Sequence, residues 1–190
     1  SKELHDQVLR LDRALGAFLD SLYREHDSTR VVVALTADHG VAPYPGVHTA
    51  DRDRPKDARF LDAWSLAAPT RAALLARGVD TAAFRFADGV LEVDRPTFAR
   101  AGVNADSVVR AFATALRRTP GVMRAETLAE TARRDTTRDA LARRWLHMIP
   151  PDLDVALVVT PQPYFPWGGP SYANHGSPHD YDAHVPLILY

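Results

Sequence analysis

The chain has 190 residues and a mass of 21.0 kDa, with 46% hydrophobic and 25% charged residues. This size and balance fit one ordinary globular domain, or one domain with a small insertion, and they exclude a wholly disordered chain. The formal net charge of -1 argues against binding to a nucleic-acid polymer, and the absence of cysteine excludes disulfides and thiolate metal sites, so any metal must be held by His, Asp or Glu.

The first part of the chain has the order of elements that is typical of α/β folds. Apolar residues recur at helical spacing from Leu4 to Leu22, which predicts an amphipathic helix over residues 3–26. The run VVVAL at 31–35 then predicts a short strand that is buried on both faces, as in a parallel sheet. No apolar run reaches the length of a membrane span, about 18 residues.

The middle of the chain, residues 60–150, predicts an inserted α+β segment. Its expected elements are a helix over 69–77, a hairpin over 83–93 around Asp88-Gly89, a helix over 105–118 capped by Asn104, a strand at GVMRAE and a helix over 137–147. The apolar run at 154–159 predicts a second strand of the parallel sheet. We therefore expect residues 1–59 and 151–190 to form an α/β core and the insertion to be a structural or substrate-covering cap.

Both ends of the sequence have the character of secondary structure. The first residues enter a helix without a preceding loop or signal peptide, and residues 185–190, VPLILY, have the composition of a strand. We therefore expect the chain to be a fragment of a longer protein.

Metal-binding side chains follow the first predicted strand directly. Asp38 and His39 stand where that strand gives way to a loop, and ligands of open α/β sheets bind beyond such strand ends. The loop frees both side chains to turn toward one ion, and Gly40 lets the backbone pass close by. A carboxylate and an imidazole suit Zn²⁺ or a similar ion, whereas an ordinary Asp-His-Gly turn is the alternative.

A second polar cluster precedes the last predicted strand. Residues 174–186 read NHGSPHDYDAHVP, with three histidines and two aspartates between His175 and His184. Such a loop beside a strand end is a candidate metal site, and a polar loop with surface histidines is the alternative.

Together, TADHG at 36–40 and the downstream NHGS and HVPLI stretches resemble the C-terminal half of the alkaline phosphatase superfamily. The sequence is most similar to the type I phosphodiesterase/nucleotide pyrophosphatase-like alkaline phosphatases. The resemblance covers residues 3–48 and 152–190 well and the middle only loosely. It implies a partial alkaline-phosphatase-like α/β sandwich built on a parallel sheet.

The resemblance also implies residue roles. Asp38 and His39 match paired ligands of one zinc ion, and His175 matches a ligand of a second zinc ion. The Thr or Ser nucleophile and the remaining ligands would precede this chain, so no catalytic residue is expected within it and the chain alone would be inactive. The pair Asp180 and His184 has the family's ligand spacing but stands in the wrong order, so we expect Asp182 and His184 to order the loop instead.

The implied function is hydrolysis of small phosphate esters with two divalent ions, and the preference for monoesters or diesters stays open. A sulfatase or phosphate mutase relative, and an inactive fragment or binding module that keeps the scaffold, are the alternatives. The resemblance implies a periplasmic or secreted protein. No nucleic-acid partner is expected, and the sequence does not indicate an oligomeric state.

Overall fold

The computed structural model describes residues 2–45, 55–150, 152–169 and 174–190. The chain divides into two compact units, Ser1–Ala37 with Pro186–Tyr190, and Asp38–Val185. The elements of the first unit are α1 Lys2–Glu25, β1 Ala34–Thr36 and β6 Leu187–Leu189. The elements of the second unit are α2 Ala63–Leu75, β2 Phe84–Ala87, β3 Val90–Val93, α3 Arg95–Arg100, α4 Ala105–Leu116, β4 Val122–Glu126, α5 Leu128–Ala132, α6 Ala140–Met148, β5 Val155–Pro161 and α7 Asp180–Ala183.

Helix α1 of the first unit confirms the predicted amphipathic helix. Glu3 in its first turn and Arg24 in its last turn have the signs that a helix dipole favours. None of its residues is buried, and Leu11 and Phe18 of the apolar stripe are 64% and 60% exposed. Among the described residues, no helix is long and apolar enough to cross a membrane.

Strands β1 and β6 form an antiparallel pair in which Leu35 lies opposite Ile188. The strand predicted at 31–35 begins later, at Ala34, and all residues of both strands are exposed. The predicted burial on both faces is therefore not found. A two-stranded pair alone leaves its faces open, because burial requires further strands or packed helices.

The second unit contains a four-stranded sheet in the order β2-β3-β5-β4. The α/β class is confirmed, but the parallel orientation predicted for 31–35 and 154–159 is wrong, since all pairings between the described strands are antiparallel. The predicted insertion, 60–150, supplies β2, β3 and β4, whereas β5 comes from the segment that we expected in the core sheet. A uniformly apolar run favours a buried strand, as for β5, but it does not guarantee burial, as β1 shows, and it does not indicate strand direction.

Strand β5 is buried along its whole length because the sheet has an apolar cluster on each face. Leu157 and Val159 belong to the larger cluster, which also contains Phe112 of α4. Val158 packs into the smaller cluster with Trp145 of α6. These two layers explain why residues 155–159 are apolar without alternation.

Local signals account for most element boundaries in this unit. The Asp88-Gly89 hairpin is confirmed, and both residues have the positive φ angles of 47° and 81° that a type I′ turn requires. Asn104 caps α4 by accepting the Ser107 N–H at 2.8 Å, also as predicted. Helix α2 begins earlier than predicted because Asp62 caps it and accepts the Trp64 N–H at 2.9 Å.

Candidate functional site

Asp38 and His39 are exposed polar residues at the start of the second unit. Asp38 Oδ1 accepts the main-chain N–H of His39 at 3.0 Å, and His39 Nδ1 lies 2.7 Å from the carbonyl oxygen of Gly40. Because a carbonyl oxygen can only accept, Nδ1 carries the proton, and Nε2 keeps its lone pair in the neutral ring. This lone pair is therefore available to a metal ion.

The remaining donor atoms of the two side chains, His39 Nε2 and Asp38 Oδ2, have a separation that suits two ligands of one metal ion. His39 Nε2 and Asp38 Oδ2 are 3.6 Å apart, which is too far for a hydrogen bond. Bonds to zinc of about 2.0–2.2 Å at a tetrahedral angle place two donor atoms roughly 3.4 Å apart. Histidine ligands commonly donate their second ring N–H to a carbonyl, as His39 does to Gly40. The donor chemistry of this pair fits a zinc-like ion.

The structure brings His175 to the same place. Its imidazole ring stacks on that of His39, with the centroids 3.6 Å apart and the planes inclined by 18°. The expected proximity of Asp38, His39 and His175 is thus present, and their roles as metal ligands stay a prediction. Among the described residues, no three His, Asp or Glu side chains form a group that could hold an ion by themselves.

Main-chain hydrogen bonds hold the loop of Asp38 and His39 against the segment around His175. Ala42 N donates to Asn174 O at 2.7 Å, and Gly40 N donates to Asp182 O at 2.7 Å. A Cβ at Gly40 would lie 1.9 Å from the carbonyl oxygen of Tyr181, so only glycine permits this approach. The sequence suggested a permissive glycine here, and the structure shows what it approaches.

The short helix α7 carries a buried network beside these loops. Asp182, which is 3% exposed, accepts hydrogen bonds from the main-chain N–H and the hydroxyl of Ser177 at 2.9 and 2.6 Å. His179 is also buried, its Nε2 lies 2.9 Å from Pro161 O, and burial lowers the pKa of its ring. These bonds agree with the expectation that Asp182 orders the loop, and the same expectation for His184 stays a prediction.

The other members of that loop have different environments. Asp180 pairs with Arg144 at 2.7 Å, and the hydrogen bond from this guanidinium lowers the pKa of the carboxyl. His184 is exposed. The charge of His184 also contributes to the lowered pKa of Asp180, after that of Arg144, and among the described residues the two side chains belong to no group of three possible metal ligands.

The hairpin of the predicted insertion reaches the His175 loop, which sequence reasoning missed. A Cβ at Gly176 would lie 3.9 Å from the Cβ of Asp88, at the tip of the hairpin. The next tip residue, Gly89, is so close to Trp167 that a Cβ there would lie 2.8 Å from the indole nitrogen. The Asp-Gly turn signal predicted the hairpin itself, whereas no local signal indicates what its tip contacts.

The fold of this chain is similar to that of solved alkaline phosphatases. A multiply substituted variant of alkaline phosphatase PafA matches with a TM-score of 0.74 at 22% sequence identity, over 96% of this chain and 34% of that chain. Wild-type PafA matches with a TM-score of 0.73 at 21% identity and the same coverage. The chain therefore has a partial alkaline-phosphatase-like fold and spans about a third of the length of these structures. No family model and no curated protein matches the sequence.

Proposed function

We propose that this chain is the C-terminal portion of a two-metal phosphoric ester hydrolase, an alkaline phosphatase or a phosphodiesterase. The observation that carries the proposal is the meeting of Asp38 and His39 with His175 in one corner of the second unit. The similarity of the fold to alkaline phosphatase PafA supports the same class of hydrolase.

In this proposal, Asp38 Oδ2 and His39 Nε2 bind one divalent ion, and His175 contributes to a second. The carboxylate and imidazole donors favour zinc over the hard, oxygen-seeking ions. The other ligands and the Thr or Ser nucleophile belong to a part of the protein outside these 190 residues. Two such ions would supply charge neutralisation for the phosphoryl group and a lowered pKa for the nucleophilic hydroxyl.

The residues of this chain would orient and shield that chemistry. The hydrogen bond between His39 Nδ1 and Gly40 fixes the ring tautomer and leaves the lone pair of Nε2 free, 3.6 Å from Asp38 Oδ2. The hairpin tip at Asp88 lies beside the His175 loop, which supports the role of the insertion as a cover over the substrate. An acidic side chain at that position would disfavour substrates with additional negative charge nearby.

The proposal also specifies a branch of the phosphoric ester hydrolases and a cellular location. The set of Asp38, His39 and His175 and the HGS and HVPLI stretches favour a phosphatase or phosphodiesterase over sulfatases and phosphate mutases, and the sequence resembles the phosphodiesterase/nucleotide pyrophosphatase-like branch most. The substrate would be a small phosphate ester, and the protein would act in the periplasm or outside the cell. A scaffold that has lost activity is the alternative that the experiment below distinguishes.

The test is a His39→Ala substitution in the full-length protein that contains this chain. We expect the variant to lose one of two bound zinc ions and several orders of magnitude in the hydrolysis of p-nitrophenyl phosphate or its diester. His147→Ala, at an exposed position of α6, is the matched control and should retain both properties. Unchanged zinc content and turnover in His39→Ala would refute the metal assignment.

The wild-type proteins decide between an enzyme and an inactive scaffold. A full-length protein that binds zinc but hydrolyses neither ester would support the inactive module. The isolated 190-residue chain should bind Zn²⁺ weakly and hydrolyse neither ester. Robust hydrolysis by that chain would contradict the assignment of the nucleophile to the missing part.

A further inference from the structure

We infer that Asp182 is a positioning residue that fixes the loop of Asp38 and His39 relative to the loop of His175. The inference rests on the proposed function, because it concerns the same site. Asp182 does not belong to the set of proposed ligands, and its contacts reach both loops that carry them.

The side chain of Asp182 anchors the loop that carries His175. Its Oδ2 atom accepts the main-chain N–H of Ser177 at 2.9 Å and the Ser177 hydroxyl at 2.6 Å. Both residues are buried, with exposures of 3% and 5%, so water does not compete for these bonds. Ser177 stands two positions after His175, and Gly176 between them has a φ of 100°. Fixing Ser177 therefore restricts the path of the chain at His175.

The main chain of Asp182 anchors the other loop. Its carbonyl oxygen accepts the Gly40 N–H at 2.7 Å, and the carbonyl oxygen of Tyr181 accepts the Val41 N–H at 3.1 Å. Gly40 directly follows His39, and its carbonyl oxygen also lies 2.7 Å from His39 Nδ1. One residue of α7 thus connects the peptide between His39 and Gly40 with the peptide between Gly176 and Ser177, one residue beyond His175.

The two oxygens of the Asp182 carboxylate are used unequally, which does not favour the stability of the folded protein. Among the described residues, the buried Asp182 Oδ1 has no hydrogen-bond partner, while both bonds go to Oδ2. An unpaired buried acceptor costs free energy, so a role in placing the Ser177 loop gives a reason for keeping the carboxylate there. Substitutions of residues that hold metal ligands in place typically weaken metal affinity by about 10–100-fold.

The experiment compares Asp182→Ala with Asp182→Asn in the 190-residue chain. Two properties are measured: nuclear Overhauser contacts between the His39 and His175 rings without metal, and the dissociation constant for Zn²⁺. We expect Asp182→Ala to lose the ring contacts and to bind Zn²⁺ about 10–100-fold more weakly. Asp182→Asn keeps an oxygen that can accept both Ser177 bonds, so it should restore the ring contacts and most of the affinity.

Two control variants separate positioning from general destabilisation. Asp180→Asn removes the neighbouring carboxylate of α7, which is exposed and pairs with Arg144. Thr160→Val removes a buried hydrogen bond to Trp145 within the sheet region and lowers stability without touching either loop. Both variants should retain the ring contacts and the wild-type affinity for Zn²⁺.

The outcomes for this inference and for the proposed function are distinct. If the contacts between the His39 and His175 rings stay intact in Asp182→Ala, the inference is overturned, whatever the affinity for Zn²⁺. If Thr160→Val loses these ring contacts to the same extent as Asp182→Ala, the inference is also overturned. A wild-type chain with the ring contacts but no Zn²⁺ binding counts against the proposed metal site, while the effect of Asp182→Ala on the contacts still decides the inference.

Discussion

The backbone of Gly40 passes so close to Tyr181 that a Cβ at position 40 would lie 1.9 Å from the Tyr181 carbonyl oxygen. Gly40→Ala should therefore force the loop away from α7 and weaken the Gly40–Asp182 hydrogen bond. Overpacking of this kind costs about 1–3 kcal/mol of unfolding free energy. Urea titration followed by tryptophan fluorescence measures it, because Trp64, Trp145 and Trp167 all lie in the second unit.

Gly169→Ala is the matched control for this substitution. Among the described residues, no atom lies within 4 Å of a Cβ at Gly169, so the urea midpoint of this variant should not fall below that of the wild type. If Gly40→Ala unfolded at the same midpoint as Gly169→Ala, the close approach to Tyr181 would be wrong.

The buried hydrogen bond between Trp145 Nε1 and Thr160 Oγ1, at 2.8 Å, connects α6 to β5. Thr160→Val keeps the shape of the side chain but leaves the indole N–H unpaired, which should cost about 1–3 kcal/mol. Thr160→Ser keeps the hydroxyl and should retain more of the stability. Urea midpoints of the two variants check the prediction, and a Thr160→Val protein as stable as Thr160→Ser would contradict it.

The second unit should lose stability as the pH falls, in part because of His179. Burial lowers the pKa of this ring from its ordinary value of 6.5, so the folded unit takes up a proton less readily than the unfolded chain. The contribution is complete above pH 6.5 and is lost as the pH falls toward the lowered pKa. The unfolding free energy measured between about pH 7.5 and 5 should therefore fall less steeply in His179→Gln than in the wild type.

His147→Gln is the control for that pH series, since His147 is exposed on α6. It should reproduce the wild-type slope of unfolding free energy against pH. A His179→Gln slope equal to that of the control would show that His179 is not held neutral by burial.

Helix α5 begins with a capping box in which Thr127 N donates to Glu130 Oε2 at 2.7 Å and Glu130 N donates to Thr127 Oγ1 at 3.2 Å. The hydrogen bond from the Thr127 N–H lowers the pKa of Glu130 from its ordinary value of 4.5. This stabilisation is present above pH 4.5 and is lost as the pH falls through the lowered pKa. Thr127→Ala should cost about 1 kcal/mol at neutral pH.

Glu130→Gln distinguishes the hydrogen bonds of the capping box from the protonation of the Glu130 carboxylate. Glutamine retains an acceptor for the Thr127 N–H but loses the partly exposed ion pair with Arg117, which is worth at most about 1 kcal/mol. The variant should therefore be at most slightly less stable than the wild type at neutral pH and lose less stability in acid. Acid unfolding followed by circular dichroism provides the comparison, and equal acid sensitivity of the two proteins would argue against the lowered pKa.

Patterns that repeat along the chain identified several elements directly. The helical spacing from Leu4 to Leu22 predicted α1, and Asp88-Gly89 predicted the β2–β3 hairpin, because period and turn type depend on neighbouring residues. Asn104 predicted the start of α4 for the same reason. The short helices α3, α5 and α7 were missed, since a single turn leaves little periodic signal.

The sequence by itself therefore determined the class of the fold and the main local elements, and it predicted Asp38, His39 and His175 as metal ligands. Only the tertiary structure decided that β5 runs antiparallel in the sheet with β2–β4, that β1 and β6 are exposed, and that Asp182 connects the two loops. The order of apolar and polar residues along a segment indicates which side chains favour burial, and this predicts local elements. Strand partners and loop contacts join residues far apart in the chain, so no window of sequence contains them.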